Sequence, residues 1–202
     1  MTAWLIRILP DTRRRDVQKD LADADLLHKR MMLLVPDDLG GQARSRAGVL
    51  FRVEEGRTGL QLLVQTTVPP QVDRLPTGYG EAAVRELSGL LAALQAGDVV
   101  RYRIDANPTK RNNQTRKIEA LHGAAAETWW AARAAAHGLA VLTSTSQPRQ
   151  DIRVKGGRHV VVRFDGLATV TDPKLVTEAV LEGIGRAKSY GCGLLSLARV
   201  AR

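Results

Sequence analysis

Strand-length apolar runs and helix-length amphipathic stretches follow one another along this chain in an order that occurs twice. Residues 3–9, AWLIRIL, are apolar and partly β-branched and are stopped by Pro10, which reads as a buried strand. DADLLHKRMMLLVP then carries Leu27, Met31, Leu34 and Val35 at helical spacing, with Pro36 as the stop. VLFRVEE and GLQLLVQTTV read as two hairpin strands across a turn containing Gly and Arg. The Ala- and Leu-rich stretch from Glu81 to Gln95 predicts a helix ended by Gly97-Asp98. VVRYRIDA alternates, with Val100, Tyr102 and Ile104 on one face and Arg101 and Arg103 on the other. The order to this point is βαββαβ.

Residues 107–117, NPTKRNNQTRK, are polar, basic and aperiodic, and read as an exposed connector or loop. After them the order returns. KIEALH is a short strand, AAAETWWAARAAAHG a helix closed by Gly138, and LAVLTST a strand. DIRVKGGRHVVVRF is a strand pair turning at Gly156-Gly157. TDPKLVTEAVLEG is a helix with Asp172 as N-cap and Pro173 at its first position, and LLSLARV is the last strand. The expected fold is α+β: two tandem ferredoxin-like domains, RNA-recognition-motif-like, over residues 1–106 and 118–202 with 107–117 as a basic connector.

The function classes are bounded by composition. The chain is 44% hydrophobic, as globular proteins are, and its 30 Lys and Arg against 21 Asp and Glu leave a net charge of +9. That sign favours nucleic acid or another anionic partner over an ordinary arginine-decorated surface. Aromatics are only 4%, so stacking of bases on aromatic rings is not the expected mode. Cys192 is the single cysteine, which rules out an internal disulfide or a thiolate cluster. His28, His122, His137 and His159 share no metal-ligand spacing, so neither a metal nor a cofactor is expected. No stretch approaches the ~18 apolar residues of a membrane span, and Arg7 and Pro10 interrupt the N-terminal run. The expectation is a soluble cytoplasmic protein, monomeric when free.

Two places could carry chemistry. GIGRAKSYGCGLLSLAR, residues 183–199, holds Gly183, Gly185, Gly191 and Gly193 with Arg186 and Lys188 among them. It reads either as a tight turn needing glycine for geometry or as a backbone surface pressed against a phosphate or ribose. His28 lies about 100° around the helix from the Leu27 stripe, at the edge of the buried face or exposed. It is either a plain surface histidine or an acid–base group with Asp25, Lys29 and Arg30 around it. Metal-free RNA cleavage needs a base for a 2′-hydroxyl, an acid for the leaving 5′-oxygen and cations for the phosphorane.

The C-terminal GIGRAKSYGCGLLSLA resembles the terminal glycine-rich signature of the CasE family, the CRISPR repeat-cleaving endoribonuclease subunit of the type I-E Cascade complex. DLLHKRMMLLVPDD resembles that family's first helix, and YRIDANPTK its Arg-x-x-x-Asn-Pro-x-Lys segment, so the resemblance spans the chain. It implies a metal-independent endoribonuclease that binds the CRISPR repeat stem-loop in precursor transcripts and cuts at the 3′ base of the stem. The products would be a 2′,3′-cyclic phosphate or 3′-phosphate and a 5′-hydroxyl, with the protein remaining on the guide hairpin among other Cascade subunits.

By position, His28 corresponds to the family's catalytic histidine and Lys29 to its basic neighbour. Asp25 stands where better-known members have a tyrosine; it could orient the imidazole and raise its pKa, but leaves the second acid–base role unassigned. RNA contacts are expected from Arg186, Lys188 and the four glycines, from Lys155 and Arg158 beside the Gly156-Gly157 turn, and from Lys110, Arg111, Arg116 and Lys117. Two alternatives stand beside this reading. One is a non-catalytic RNA-binding subunit of the same fold. The other is a small-ligand-binding ferredoxin-like regulator, against which the charge and the basic connector argue.

Overall fold

A computed structural model describes residues 2–56, 59–155 and 157–200, and divides the chain into two compact units. The first runs to Ala92 and also includes Lys188–Gly191. Its strands are β1 (Trp4–Pro10), β2 (Leu50–Gly56), β3 (Gly59–Thr66) and β4 (Gly80–Glu86), arranged β2-β3-β1-β4 with every pairing antiparallel. This is the ferredoxin-like order. The turn of the β2–β3 hairpin, Arg57-Thr58, lies outside the described residues.

Alternation decides which face of this sheet is covered. Ile6 and Ile8 of β1 and Leu62 and Val64 of β3 are buried, while Arg7 between the two isoleucines is exposed. Onto that face pack α1 (Arg15–Ala22) and α2 (Ala24–Met32), which contribute Val17, Leu27 and Met31 to one core with Ala47, Val49 and Phe51. Asp23 caps α2, its Oδ1 accepting from the Asp25 and Leu26 amides at 2.9 and 3.1 Å. Arg30 of α2 meets Asp20 of α1 at 2.6 Å and lies 5.1 Å over the Tyr79 ring, which fixes the two helices together. Pro36 was expected to end α2, but the helix stops at Met32. Leu34 and Val35 instead make tightened amide bonds three residues back, because a residue before proline disfavours the α conformation.

The helix expected over Glu81–Gln95 is not there. Residues 80–86 are β4, followed by the short helix α4 (Ser88–Ala92). Ala and Leu favour helix, but β1 has a second edge to fill, and seven residues of β4 pair along it from Trp4↔Glu86 to Pro10↔Gly80. Gly80 makes that approach possible, since a Cβ there would sit 2.3 Å from the Leu9 carbonyl oxygen.

The second unit comprises Ala93–Ala187 and the residues from Cys192 onward. Its sheet is β12 (Ser196–Arg199), β5 (Val99–Ala106), β11 (Val162–Val170) and β8 (Leu139–Pro148), in that order and antiparallel. With α5 (Gly123–Ala136) and α6 (Pro173–Glu182), the chain order β5-α5-β8-β11-α6-β12 is a complete βαββαβ. VVRYRIDA is therefore the first strand of the second unit and not the last of the first. The boundary falls at Ala92/Ala93, not between residues 106 and 107. Alternation had marked the strand without saying which sheet it joins.

Residues 107–117 are likewise not a structureless connector. β6 (Thr109–Arg111) and β7 (Ile118–Ala120) form a hairpin, and its turn is set by Asn112, whose Oδ1 accepts from the Gln114 and Thr115 amides at 2.9 Å. A second hairpin, β9 (Ile152–Val154) with β10 (Gly157–His159), precedes β11; Gly156 of its turn lies outside the described residues. Trp130 stacks on Phe164 at 5.6 Å and tilts against Tyr102 at 5.4 Å in the core. Asp105 and Arg163 are buried register partners, held at 2.6 and 2.8 Å. Asn107 donates to the Val160 carbonyl at 2.7 Å, so the Asn-Pro of the motif closes β5 onto the strand region before β11.

A Cβ at Gly166 would lie 1.9 Å from the Thr143 carbonyl oxygen and 2.8 Å from the Tyr102 hydroxyl, which itself donates to that carbonyl. Gly166→Ala is expected to destabilise the protein by about 1–3 kcal/mol as overpacking. Thermal unfolding followed by circular dichroism measures it, with Gly89→Ala in α4, where a Cβ meets nothing within 4 Å, as the comparison that should not destabilise.

Candidate nucleic-acid interface and acid–base site

His28 takes its position from its own helix. Leu27 and Met31 face the core, and the next residue along from Leu27 is turned about 100° towards the rim. Its side chain is half-buried, and Nδ1 is out of reach of solvent with no hydrogen-bond partner among the described residues. Burial pushes the imidazole pKa below its ordinary value, and the Arg44 guanidinium pushes it the same way; Asp25, one helical turn earlier, pulls it back up. The balance leaves His28 neutral at neutral pH, the protonation state a base requires.

Arg44 lies in the short helix α3 (Ala43–Arg46), which follows a 3-10 turn over Asp37–Gln42. It is half-buried, and its Nη1 donates to the Val49 carbonyl at 3.1 Å. Nothing in the residue pattern had marked it. The available sign was two arginines in QARSR directly after the Gly40-Gly41 pair.

The glycine-bearing stretch divides between the two units. Lys188–Tyr190 form a 3-10 turn that packs on α2 and β2 of the first unit. Gly191 follows at φ +89°, where a Cβ would press on the Phe51 ring at 3.3 Å. Tyr190 was also missed, although it stands inside the quoted motif. Burial raises its phenol pKa, and Asp25 raises it further, as a neighbouring charge and as the acceptor of a hydrogen bond from the hydroxyl. The turn thus reaches α2 through Asp25, three residues before His28. Lys29 is exposed on the same helix.

The remaining predicted residues belong to the second unit. Gly183 and Gly193 are buried and closed on the protein itself: the Gly183 amide donates to Ala179, and the Gly193 amide donates to Asp105 at 2.7 Å. Geometry, not an open backbone surface, accounts for these two. Gly185 has φ +86° against Trp129, and Arg186 beside it is exposed. Burial lowers the His159 pKa, and the Arg186 charge lowers it further. Lys155 is exposed, and Arg158 meets Asp151 at 3.2 Å in a solvent-facing pair of little energetic weight. On the other hairpin Arg111, Arg116 and Lys117 are exposed, and Lys110 approaches Glu119 at 3.6 Å. The second unit therefore carries two basic hairpins and an exposed arginine, while the first carries the imidazole.

Comparison with known proteins places this arrangement. The family model described as CRISPR associated protein matches residues 3–199. The chain is 30% identical over 215 residues to the CRISPR-associated endoribonuclease Cse3 of Thermus thermophilus, covering 96% of this chain and 99% of that one. The structure of that relative bound to an RNA representing a pre-cleavage complex superposes with a TM-score of 0.86 at 28% identity, over 98% of this chain and 100% of the other. The CRISPR system Cascade subunit CasE of Escherichia coli is 30% identical over 166 residues, 74% of this chain and 80% of that one. A chain of a CRISPR RNA-guided surveillance complex, pre-nicking, is 45% identical with a TM-score of 0.72, over 98% of this chain and 100% of its own length.

An imidazole NMR titration of the free protein should give His28 a midpoint below 6.5. Asp25→Asn removes the one group that pulls it upward and should move the midpoint lower still. An upward shift would mean that Asp25 does not act on the ring.

Proposed function

Since the chain belongs to the CRISPR associated protein family, we propose that it is a metal-independent endoribonuclease that binds the stem-loop of CRISPR repeats in precursor transcripts and cuts at the 3′ base of the stem. The observation that carries this reading is the half-buried imidazole of His28, its Nδ1 without a partner among the described residues and its pKa lowered by burial and by the Arg44 charge. A neutral imidazole can take the proton of a 2′-hydroxyl. The O2′–P bond then forms, the P–O5′ bond breaks, and a 2′,3′-cyclic phosphate and a 5′-hydroxyl result. The proton lost by the 2′-hydroxyl is regained, through the imidazolium and solvent, by the 5′-oxygen, so no proton is consumed overall. General acid–base help of this kind contributes roughly 10²–10⁴-fold.

Within this reading His28 is the base, Asp25 sets its titration, and Lys29 supplies positive charge on the solvent side of α2. Lys110, Arg111, Arg116 and Lys117 of one hairpin, Lys155 and Arg158 of the other, and Arg186 and Lys188 of the C-terminal stretch bind the phosphates of the stem. A-form RNA hides its base edges in a deep, narrow groove, so phosphate contacts and shape govern the binding. After cutting, the protein stays on the hairpin of the guide RNA as a Cascade subunit. No helix among the described residues is long and apolar enough to cross a membrane.

His28→Ala is expected to leave hairpin affinity nearly intact while abolishing cleavage, with wild type cutting in EDTA. A mutant that cuts at the wild-type rate would make the protein an RNA-binding subunit in which His28 has no part. The pH dependence of kcat/KM should rise with pH through a midpoint below 6.5, because the base must be unprotonated in the free protein. Hairpin affinity should fall with salt by about 0.7–0.9 log units per log unit for each phosphate contacted.

A further inference from the structure

Arg44 differs from the other arginines held inside the first unit. Arg52 meets Glu54 at 2.7 Å, and Arg30 meets Asp20 at 2.6 Å. Arg44 is half-buried, yet it has no carboxylate partner among the described residues, and its one hydrogen bond there goes to the Val49 carbonyl. Drawing a cation even partly out of water without a counter-charge is costly, and an anion arriving there would offset that cost. The imidazole nearby is incomplete in a similar sense, since His28 Nδ1 has no partner. The two groups border one wall of the core: Leu27 and Met31, on the helix of His28, pack with Ala47 and Val49, three and five residues after Arg44, and the Arg44 guanidinium bonds the Val49 carbonyl.

We propose that Arg44 binds the scissile phosphate, so that its guanidinium and the His28 ring form a single site for the phosphodiester that is cut. The inference rests on the endoribonuclease reading above. Its chemistry follows from the donor set. A guanidinium presents five N–H groups in a planar fork matched to two oxygens of a phosphate, and one Arg44 nitrogen is turned to Val49. As O2′ attacks, charge grows on the non-bridging oxygens, and a donor already fixed in place binds them more tightly than in the ground state. The other charged or titratable groups around His28 are Asp25, Lys29 and Arg30 on its own helix and Lys188 and Tyr190 on the turn packed against it. Asp25 repels a phosphate and Tyr190 is bonded to it, which leaves Arg44 as the cation drawn into the wall itself.

The test pairs a side-chain change with a change in the RNA. The protein variants are Arg44→Met, which keeps the aliphatic stem, and Arg44→Lys, which keeps the charge without the fork. The RNA is a CRISPR repeat hairpin cut by wild type, made 2′-deoxy at the cut for binding, with the scissile group either a phosphodiester or an uncharged methylphosphonate. Wild type should bind the methylphosphonate hairpin more weakly than the phosphodiester, and Arg44→Met should bind the two alike. On cleavable RNA, Arg44→Met should slow single-turnover cutting by about 10²–10³-fold, with Arg44→Lys in between. The His28 midpoint should rise in Arg44→Met, as read by NMR without RNA. An equal methylphosphonate penalty in wild type and Arg44→Met, or wild-type cutting by Arg44→Met, overturns the assignment while leaving the endoribonuclease reading in place. Should Arg44→Met fail to fold, the Arg44→Lys pair decides: a cutting rate and a methylphosphonate penalty both equal to wild type also overturn it. Wild type that cuts no repeat hairpin overturns the reading beneath it and the assignment together.

Discussion

The packing of Leu27 and Met31 onto the β1–β3 face is the contact on which the rest of the first unit turns. A helix has one rotation at which both residues are buried, and that rotation decides everything else about α2. It sends Asp25 and Lys29 to solvent and stops His28 at the rim, partly desolvated. A residue wholly in the core would be closed to any ligand, and one wholly in water would titrate as an ordinary histidine. The useful property is the intermediate position, which comes from a 3.6-residue period set against the covered face of a sheet.

Much of the architecture was readable because strands and amphipathic helices write their period into the sequence. β1, β2, β3, β5 and β8 stand where alternation or apolar runs put them, and α6 begins at its Asp172-Pro173 signal; the strand read after Gly156-Gly157 divides into β10 and the separate β11. What failed were questions of partnership. Residues 80–86 have a helix former's composition and a strand's neighbours, and the neighbours prevailed. VVRYRIDA was recognised as a strand but given to the wrong sheet. The two-stranded arm at 109–120 owes its shape to one asparagine side chain folding back on its own backbone, which a scan for periodicity does not see.

The site was legible to the same depth. His28 and the C-terminal motif are local features, so a reading of the sequence alone can single them out. Arg44 and Tyr190 matter only through where they land, one on a short helix after a glycine pair, the other on a turn distant in sequence from α2. Neither spacing has a pattern to detect. Of the glycines, Gly183 and Gly193 settle in favour of turn geometry, and Gly191 has a specific reason in the Phe51 ring beneath it.

The path of the chain near its end limits how the molecule can be taken apart. Lys188–Gly191 belong to the first unit although the residues on either side belong to the second, and the Cys192 amide closes this excursion on the Ala187 carbonyl. A fragment cut at Ala92 would therefore carry the imidazole but lack the phenol that bonds to Asp25, and the Phe51 edge would be stripped of its glycine cover. The first unit is complete only once Lys188–Gly191, nearly a hundred residues further along the chain, have joined it.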